Sequence, residues 1–166
     1  MKDANISILI MKLDRTDRRI LNEIQHNARI SNLELADKIG LSPSPCSRRV
    51  KQLEEAGFID QHVALLNPTK LGLKLTAMVQ VSMDRHIPER FENFEQHIET
   101  WPEVLECYLI TGQAADYLLK IIVQDMDEYQ QFLLGKLTRI EGVSGVQSSF
   151  VLRKVVDKTI LPLGEI

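Results

Sequence analysis

Residues 31–57, SNLELADKIGLSPSPCSRRVKQLEEAG, constrain the fold more than any other stretch of the chain. They spell two short helices broken at Gly40. Ser31, with Glu34 three residues on, has the pattern of a capping box, and Leu35, Ala36 and Ile39 supply an inner face. Ser42 caps the second helix, with Pro43 at the first helical position, where a missing N–H costs nothing. Pro45 is still inside the first turn, so it too is tolerated. Cys46, Val50 and Leu53 then recur at i, i+4, i+7 as one apolar stripe. Ser44, Ser47, Arg48 and Lys51 fall on nearly the opposite face, and Gly57 supplies the left-handed residue that ends a helix. A short helix with an apolar back and a front of hydroxyl and guanidinium groups fits a DNA major groove, where base edges offer both donors and acceptors.

The flanking sequence predicts two domains in an α+β chain. Leu13 opens the first, and Asp14 or Thr16 caps a helix that buries Ile20, Leu21 and Ile24 and ends near Asn27. After the groove-reading helix, Phe58–Leu66 is rich in β-formers and reads as an extended strand, broken by Asn67-Pro68. From Leu75 the hydrophobic period changes to two, with Leu75, Ala77, Val79, Val81 and Met83 on one side. Pro88 opens a helix with Phe91, Phe94, Ile98 and Trp101 inward; Val104–Ile110 and Tyr117–Val123 are strand-like. A further helix buries Tyr129, Phe132, Leu133, Leu137 and Ile140, and Gly142–Val155 is the last strand. The order β-α-β-β-α-β is the ferredoxin-like plan, with both helices on one sheet face. The other face carries Met78, Tyr108, Ile110, Leu118 and Ile122, too apolar for water, so sheet-to-sheet dimerisation is the natural outcome. The expected organisation is a loose N-terminal extension at 1–12, with Met1 or Met11 as the start. A helix-turn-helix domain at 13–60 follows, then a linker strand and turn at 61–72, and a ferredoxin-like effector-binding and oligomerisation domain at 73–166.

Charge bears on the DNA reading. The net charge of −3 splits into +1 for residues 1–61 and −4 for residues 62–166. DNA affinity must therefore come from local placement of cations and from several copies acting together. No apolar run approaches the roughly 18 residues of a membrane span, so no membrane partner is expected. Cys46 and Cys107 form no CxxC and read as small buried hydrophobes in a reducing cytoplasm. His26, His62, His86 and His97 share no ligand spacing, and no metal is expected. No glycine-rich phosphate loop, nucleophile elbow or paired-carboxylate pattern supports catalysis, so no enzyme activity and no catalytic residue is expected.

Four strings together resemble one family: LDRTDRRIL at 13–21, RISNLELADKIGLSPSPCSRRVKQLEEAGFI at 29–59, LNPTKLG at 66–72 and TG…DYLL at 111–119. They are similar to the leucine-responsive/asparagine-responsive (Lrp/AsnC, feast–famine) transcription regulators, over residues 13 to about 155. The resemblance implies an N-terminal winged helix-turn-helix and a C-terminal amino-acid-binding ferredoxin-like domain. It also implies a homodimer assembling into a homo-octamer. Ser42, Ser44, Ser47, Arg48, Arg49 and Lys51 fall on the family's recognition helix. Arg48 suits the O6 and N7 edge of guanine, and Arg49 and Lys51 suit phosphate. The family's effector loop corresponds to Ile110, Thr111, Gly112, Gln113, Ala114, Ala115 and Asp116, with Asp116 receiving an α-ammonium group. Residues around Thr138 and Ser148 of a neighbouring dimer complete the site. The family usually has two residues between the glycine and the aspartate; this chain has three, which reshapes the pocket mouth. Ile110, Ala114 and Ala115 favour a neutral apolar effector such as leucine or methionine over lysine or asparagine. The expected function is amino-acid-responsive, sequence-specific regulation of transcription on double-stranded DNA. The competing readings are an amino-acid-binding module that acts through protein partners, and a nucleoid-structuring protein.

Overall fold

A computed structural model describes residues 12–112 and 114–164, in which the chain divides into two compact units. The first unit runs to Ala64 and takes in the tail from Val156; the second spans Leu65–Val155. The expected extension at 1–12 lies outside the described residues apart from Lys12.

Three helices build the first unit: α1 (Arg15–His26), α2 (Asn32–Ile39) and α3 (Pro43–Glu55). Helix α1 starts at Asp14 in a reciprocal box, each carboxylate of the Asp14/Asp17 pair accepting from the other residue's amide. Ser31 and Glu34 start α2 in the same way. Each box satisfies amides that a helix start leaves without partners. Ser42 stands at the N-cap position of α3 but makes no side-chain cap bond. The reason is Pro45: a cap side chain bonds the amide two or three residues on, and proline removes the second of these. Gly40, at φ 77°, turns the chain between α2 and α3. Ile20, Leu21, Ile24, Leu35, Ala36, Ile39, Cys46 and Leu53 close into one apolar cluster.

The segment Phe58–Leu66 forms no strand, which corrects the linker strand expected within 61–72. Its β-forming side chains have no ladder to join among the described residues. Thr69–Leu71 makes one 3-10 turn closed by Gly72.

The second unit contains β1 (Leu75–Met83), α4 (Pro88–Glu99), β2 (Val104–Leu109), β3 (Tyr117–Val123), α5 (Met126–Gly135) and β4 (Val143–Phe150). The strand order is β2-β3-β1-β4, and every pairing is antiparallel. Phe94 and Ile98 of α4 and Tyr129 and Phe132 of α5 pack on Ala77, Val79, Val81, Leu119 and Ile121. The ferredoxin-like expectation therefore holds, with local corrections. Helix α5 stops at Gly135, and Leu137 and Ile140 are buried from a 3-10 turn and its end rather than from the helix. Strand β4 stops at Phe150, opposite Ala77, because β1 begins at Leu75 and leaves little edge for the expected continuation to Val155. Cys107 is exposed on β2, an edge strand, so the expected burial holds for Cys46 alone.

The tail groups apart from the rest of the expected domain at 73–166. From Val156 it belongs to the first unit. The Gln25 side chain donates to the Leu161 carbonyl at 3.1 Å and accepts from the Leu161 amide at 2.9 Å. Arg18 Nη1 donates to the Leu163 carbonyl at 2.6 Å, and Leu163 packs against the helical cluster.

Candidate nucleic-acid interface and effector pocket

Helix α3 carries the candidate interface because its two faces differ in chemistry. Cys46 and Leu53 are fully buried behind it. Ser42, Ser44, Ser47, Arg48 and Lys51 are exposed. The Asn32 side-chain amide donates to the Pro43 carbonyl at 2.9 Å and ties the start of α3 to the start of α2. Arg19 donates to the carbonyls of Lys38 and Ile39 at 2.9 and 3.0 Å, closing the carboxyl end of α2. Arg48 has no ion-pair partner among the described residues and leaves its fork of donors to solvent. Lys51 sits 3.6 Å from Glu55 one turn on, an exposed pairing that constrains it little.

Arg49 is placed differently from its neighbours. Its Nη1 bridges Asp14 Oδ2 at 2.8 Å and Asp17 Oδ1 at 2.7 Å. Asp17 is 2 % exposed, the one buried charged residue among those described. The two carboxylates push the Arg49 guanidinium further above its ordinary range, Asp17 more than Asp14. The Asp17 amide, and then Arg49, hold the Asp14 carboxyl below its ordinary range. This engages one nitrogen of the fork, Nη1, with carboxylates of α1. The sequence offered Asp14 as one of two caps, but neither the box with Asp17 nor the cross-helix partner was read from it.

In the second unit, the loop between β2 and β3 folds back on the sheet. The Ile110 amide donates to the Asp116 carbonyl, and the Asp116 amide to the Val81 carbonyl, at 2.8 and 2.9 Å. Gly112 takes φ 84°, a conformation that disfavours a side chain. Asp116 Oδ2 accepts from the Met83 amide at 2.7 Å, while Oδ1 meets His86 Nε2 at 2.8 Å. His86 is 70 % exposed and stacks on Phe91. Beside this loop lies a cavity of about 190 Å³ lined by Gln80, Ser82, Ala114, Ala115, Gly145, Val146 and Gln147. Of the expected effector loop it includes Ala114 and Ala115; Ile110, Thr111, Gly112 and Asp116 belong to the same loop but not to the lining. Gln113 is outside the described residues. Thr138 and Ser148 are not brought to the cavity within one chain. Thr138 donates to the Leu133 carbonyl, and Ser148 shares a hydrogen bond with the Tyr129 hydroxyl on the helix-covered face. The sequence left Gln80, Ser82, Gly145 and Gln147 unnoticed. The period-two alternation of β1 marks Gln80 and Ser82, but only the β1–β4 register adds Gly145 and Gln147 beside them.

Comparison with known proteins decides the family. The family model for the Lrp/AsnC ligand binding domain matches residues 76–161, and the one for winged helix-turn-helix DNA-binding matches residues 13–60. The chain belongs to the Lrp/AsnC family. It is 44 % identical over 143 residues to the leucine-responsive regulatory proteins of Klebsiella pneumoniae and Escherichia coli (strain K12), covering 86 % of this chain and 87 % of theirs. Among solved structures it is similar to a transcriptional regulator of Neisseria meningitidis in complex with L-Met. That match has a TM-score of 0.88 and 45 % identity, covering 92 % of this chain and 97 % of that one. It is also similar to Escherichia coli AsnC, with a TM-score of 0.83 and 26 % identity, covering 90 % of this chain and 98 % of that one. This member of the Lrp/AsnC family is thus a DNA-binding transcriptional regulator with an amino-acid-binding domain. No helix among its described residues is long and apolar enough to cross a membrane.

Proposed function

We propose that this regulator reads DNA through Ser42, Ser44, Ser47, Arg48 and Lys51 and answers to a neutral apolar amino acid, leucine or methionine. The observation that carries the DNA half is the exposed, unpaired Arg48 on a helix whose opposite face is fully buried. A free guanidinium fork matches the paired acceptors of guanine, and Lys51 one turn along suits phosphate. Homodimers formed through the open sheet face present two such helices to half-sites about one helical turn apart. Assembly to an octamer in the cytoplasm multiplies weak local charge into useful affinity.

The effector half rests on the cavity beside the 110–116 loop, whose Gln80, Ser82 and Gln147 lie on the open sheet face, so that a second copy on that face would roof it. At about 190 Å³ it is smaller than a drug-sized site and suits a single amino acid. Its side chains are neutral: Gln80, Ser82 and Gln147 offer polar atoms, and Ala114, Ala115 and Val146 offer apolar surface. The L-Met bound to the Neisseria meningitidis regulator supports a ligand of this kind. On the same loop, outside the lining, the exposed His86 at Asp116 Oδ1 is replaceable by an α-ammonium group reaching from the cavity, with residues around Thr138 of an adjoining dimer completing the enclosure. Binding that differs between assemblies would shift their populations and with them the DNA bound.

Thermal unfolding of the full chain against a panel of L-amino acids tests this. Leucine or methionine near 100 times its dissociation constant should raise the midpoint by about 5–10 °C. In Asp116→Asn, which keeps an acceptor for the Met83 amide, that shift should vanish. A shift from lysine or asparagine alone would refute the apolar effector, and an undiminished shift in Asp116→Asn would refute the role of Asp116.

A further inference from the structure

We infer that Arg49 is a positioning residue: by bridging Asp14 and Asp17 it locks the roll of α3 against α1 and so sets where Arg48 and Ser47 meet the bases. The inference rests on the reading of α3 as the DNA-contacting helix and reassigns one of its cations. Every carboxylate oxygen of the pair is used. Asp14 Oδ1 accepts from the Asp17 amide at 2.7 Å and Asp17 Oδ2 from the Asp14 amide at 3.1 Å. The remaining oxygen of each, Asp14 Oδ2 and Asp17 Oδ1, accepts from the same Arg49 nitrogen. The capping box of α1 is therefore also the receptor for a side chain from α3.

Two features make this more than an incidental surface ion pair. Asp17 is 2 % exposed and sits in the first unit beside the buried Ile20 and Leu21. A carboxylate so placed requires a partner, because an unpaired buried charge is strongly unfavourable. Cys46 and Leu53 hold the back of α3 and the Asn32–Pro43 hydrogen bond holds its start, but neither ties its flank to α1. The hydrogen-bonded bridge has direction. A roll of about 20° moves a group on the helix surface by about 2 Å. That exceeds the tolerance of a bidentate contact to guanine. Arg48 is the residue adjacent to Arg49 on α3 and shares any such roll directly.

The test uses the full chain with Arg49→Gln, Asp17→Asn, the double variant and Asp14→Asn. Binding is measured to a duplex selected by the wild type from a random pool and to a scrambled duplex, across a salt series. Positioning predicts that Arg49→Gln and Asp17→Asn each weaken binding to the selected site about tenfold. Binding to the scrambled duplex should not weaken, and the slope of log K against log salt should stay unchanged. The double variant should be no worse than either single one, because both remove the same bridge. Should Asp17→Asn fail to fold, Asp14→Asn, at a half-exposed carboxylate, should show the same pattern at about threefold. A phosphate contact predicts the opposite: Arg49→Gln weakens both duplexes and lowers the salt slope by about one, and neither aspartate variant weakens binding. That result, or wild-type selectivity in all variants, overturns the inference. A wild type that selects no site from the pool overturns the DNA reading itself, and the inference with it.

Discussion

At the scale of single residues, the first unit is held by carboxylates at helix starts. The Asp17 amide and Arg49 hold the Asp14 carboxyl below its ordinary range, and the Ser31 amide and hydroxyl do the same for Glu34. A carboxylate whose folded pKa is lowered stabilises the fold above the unfolded value, about pH 4. That contribution disappears as pH falls through the folded value. Arg49, raised further still, stays charged throughout and adds nothing to this dependence. The charged groups facing Asp14 are Arg49 and Asp17. Thermal midpoints measured from pH 6 to pH 2.5 should therefore fall on the acid side, and Asp14→Asn should flatten part of that fall. Identical acid limbs in variant and wild type would contradict the assignment.

At the scale of elements, what the sequence disclosed depended on how local the signal was. Helix α2 is capped by Ser31 as its box indicated, since a box is written within four residues, and of the two candidates for α1 the cap is Asp14. Strand β3 spans Tyr117–Val123 as read, because a short apolar run broken only by Lys120 marks it. Where a partner elsewhere decides, local reading failed. Phe58–Leu66 has strand-forming side chains and no ladder to join, and β4 ends where β1 runs out. The tail gave no sign that Leu161 and Leu163 meet Gln25 and Arg18, since backbone carbonyls accept from any sequence. The surroundings of Arg49 were hidden for the same reason. Its spacing on α3 showed a flanking cation, and only the approach of α1 showed what it meets.

At the scale of the whole molecule, the sheet leaves one face without helices. Met78, Leu118 and Ile122 project there, interrupted by the Lys120–Glu106 ion pair at 2.6 Å. Leu118 stands opposite Gln80 on β1 and Tyr108 on β2, near the centre of that face. If this surface joins two copies, a charge at its centre is desolvated without a partner, at a cost of several kcal/mol. Leu118→Glu should therefore convert the assembly to monomers by light scattering while retaining the helical circular dichroism. An unchanged mass would place the dimer contact elsewhere.

DNA reading by this protein depends on a surface built around Arg48, and one measurement reaches it most directly. Wild type and Arg48→Ala are titrated against the same selected duplex at one salt concentration, with thermal unfolding run in parallel. The exposed guanidinium predicts a loss of about 1–3 kcal/mol in binding and an unfolding midpoint unchanged from wild type. Equal affinity of the two proteins for that site would contradict it.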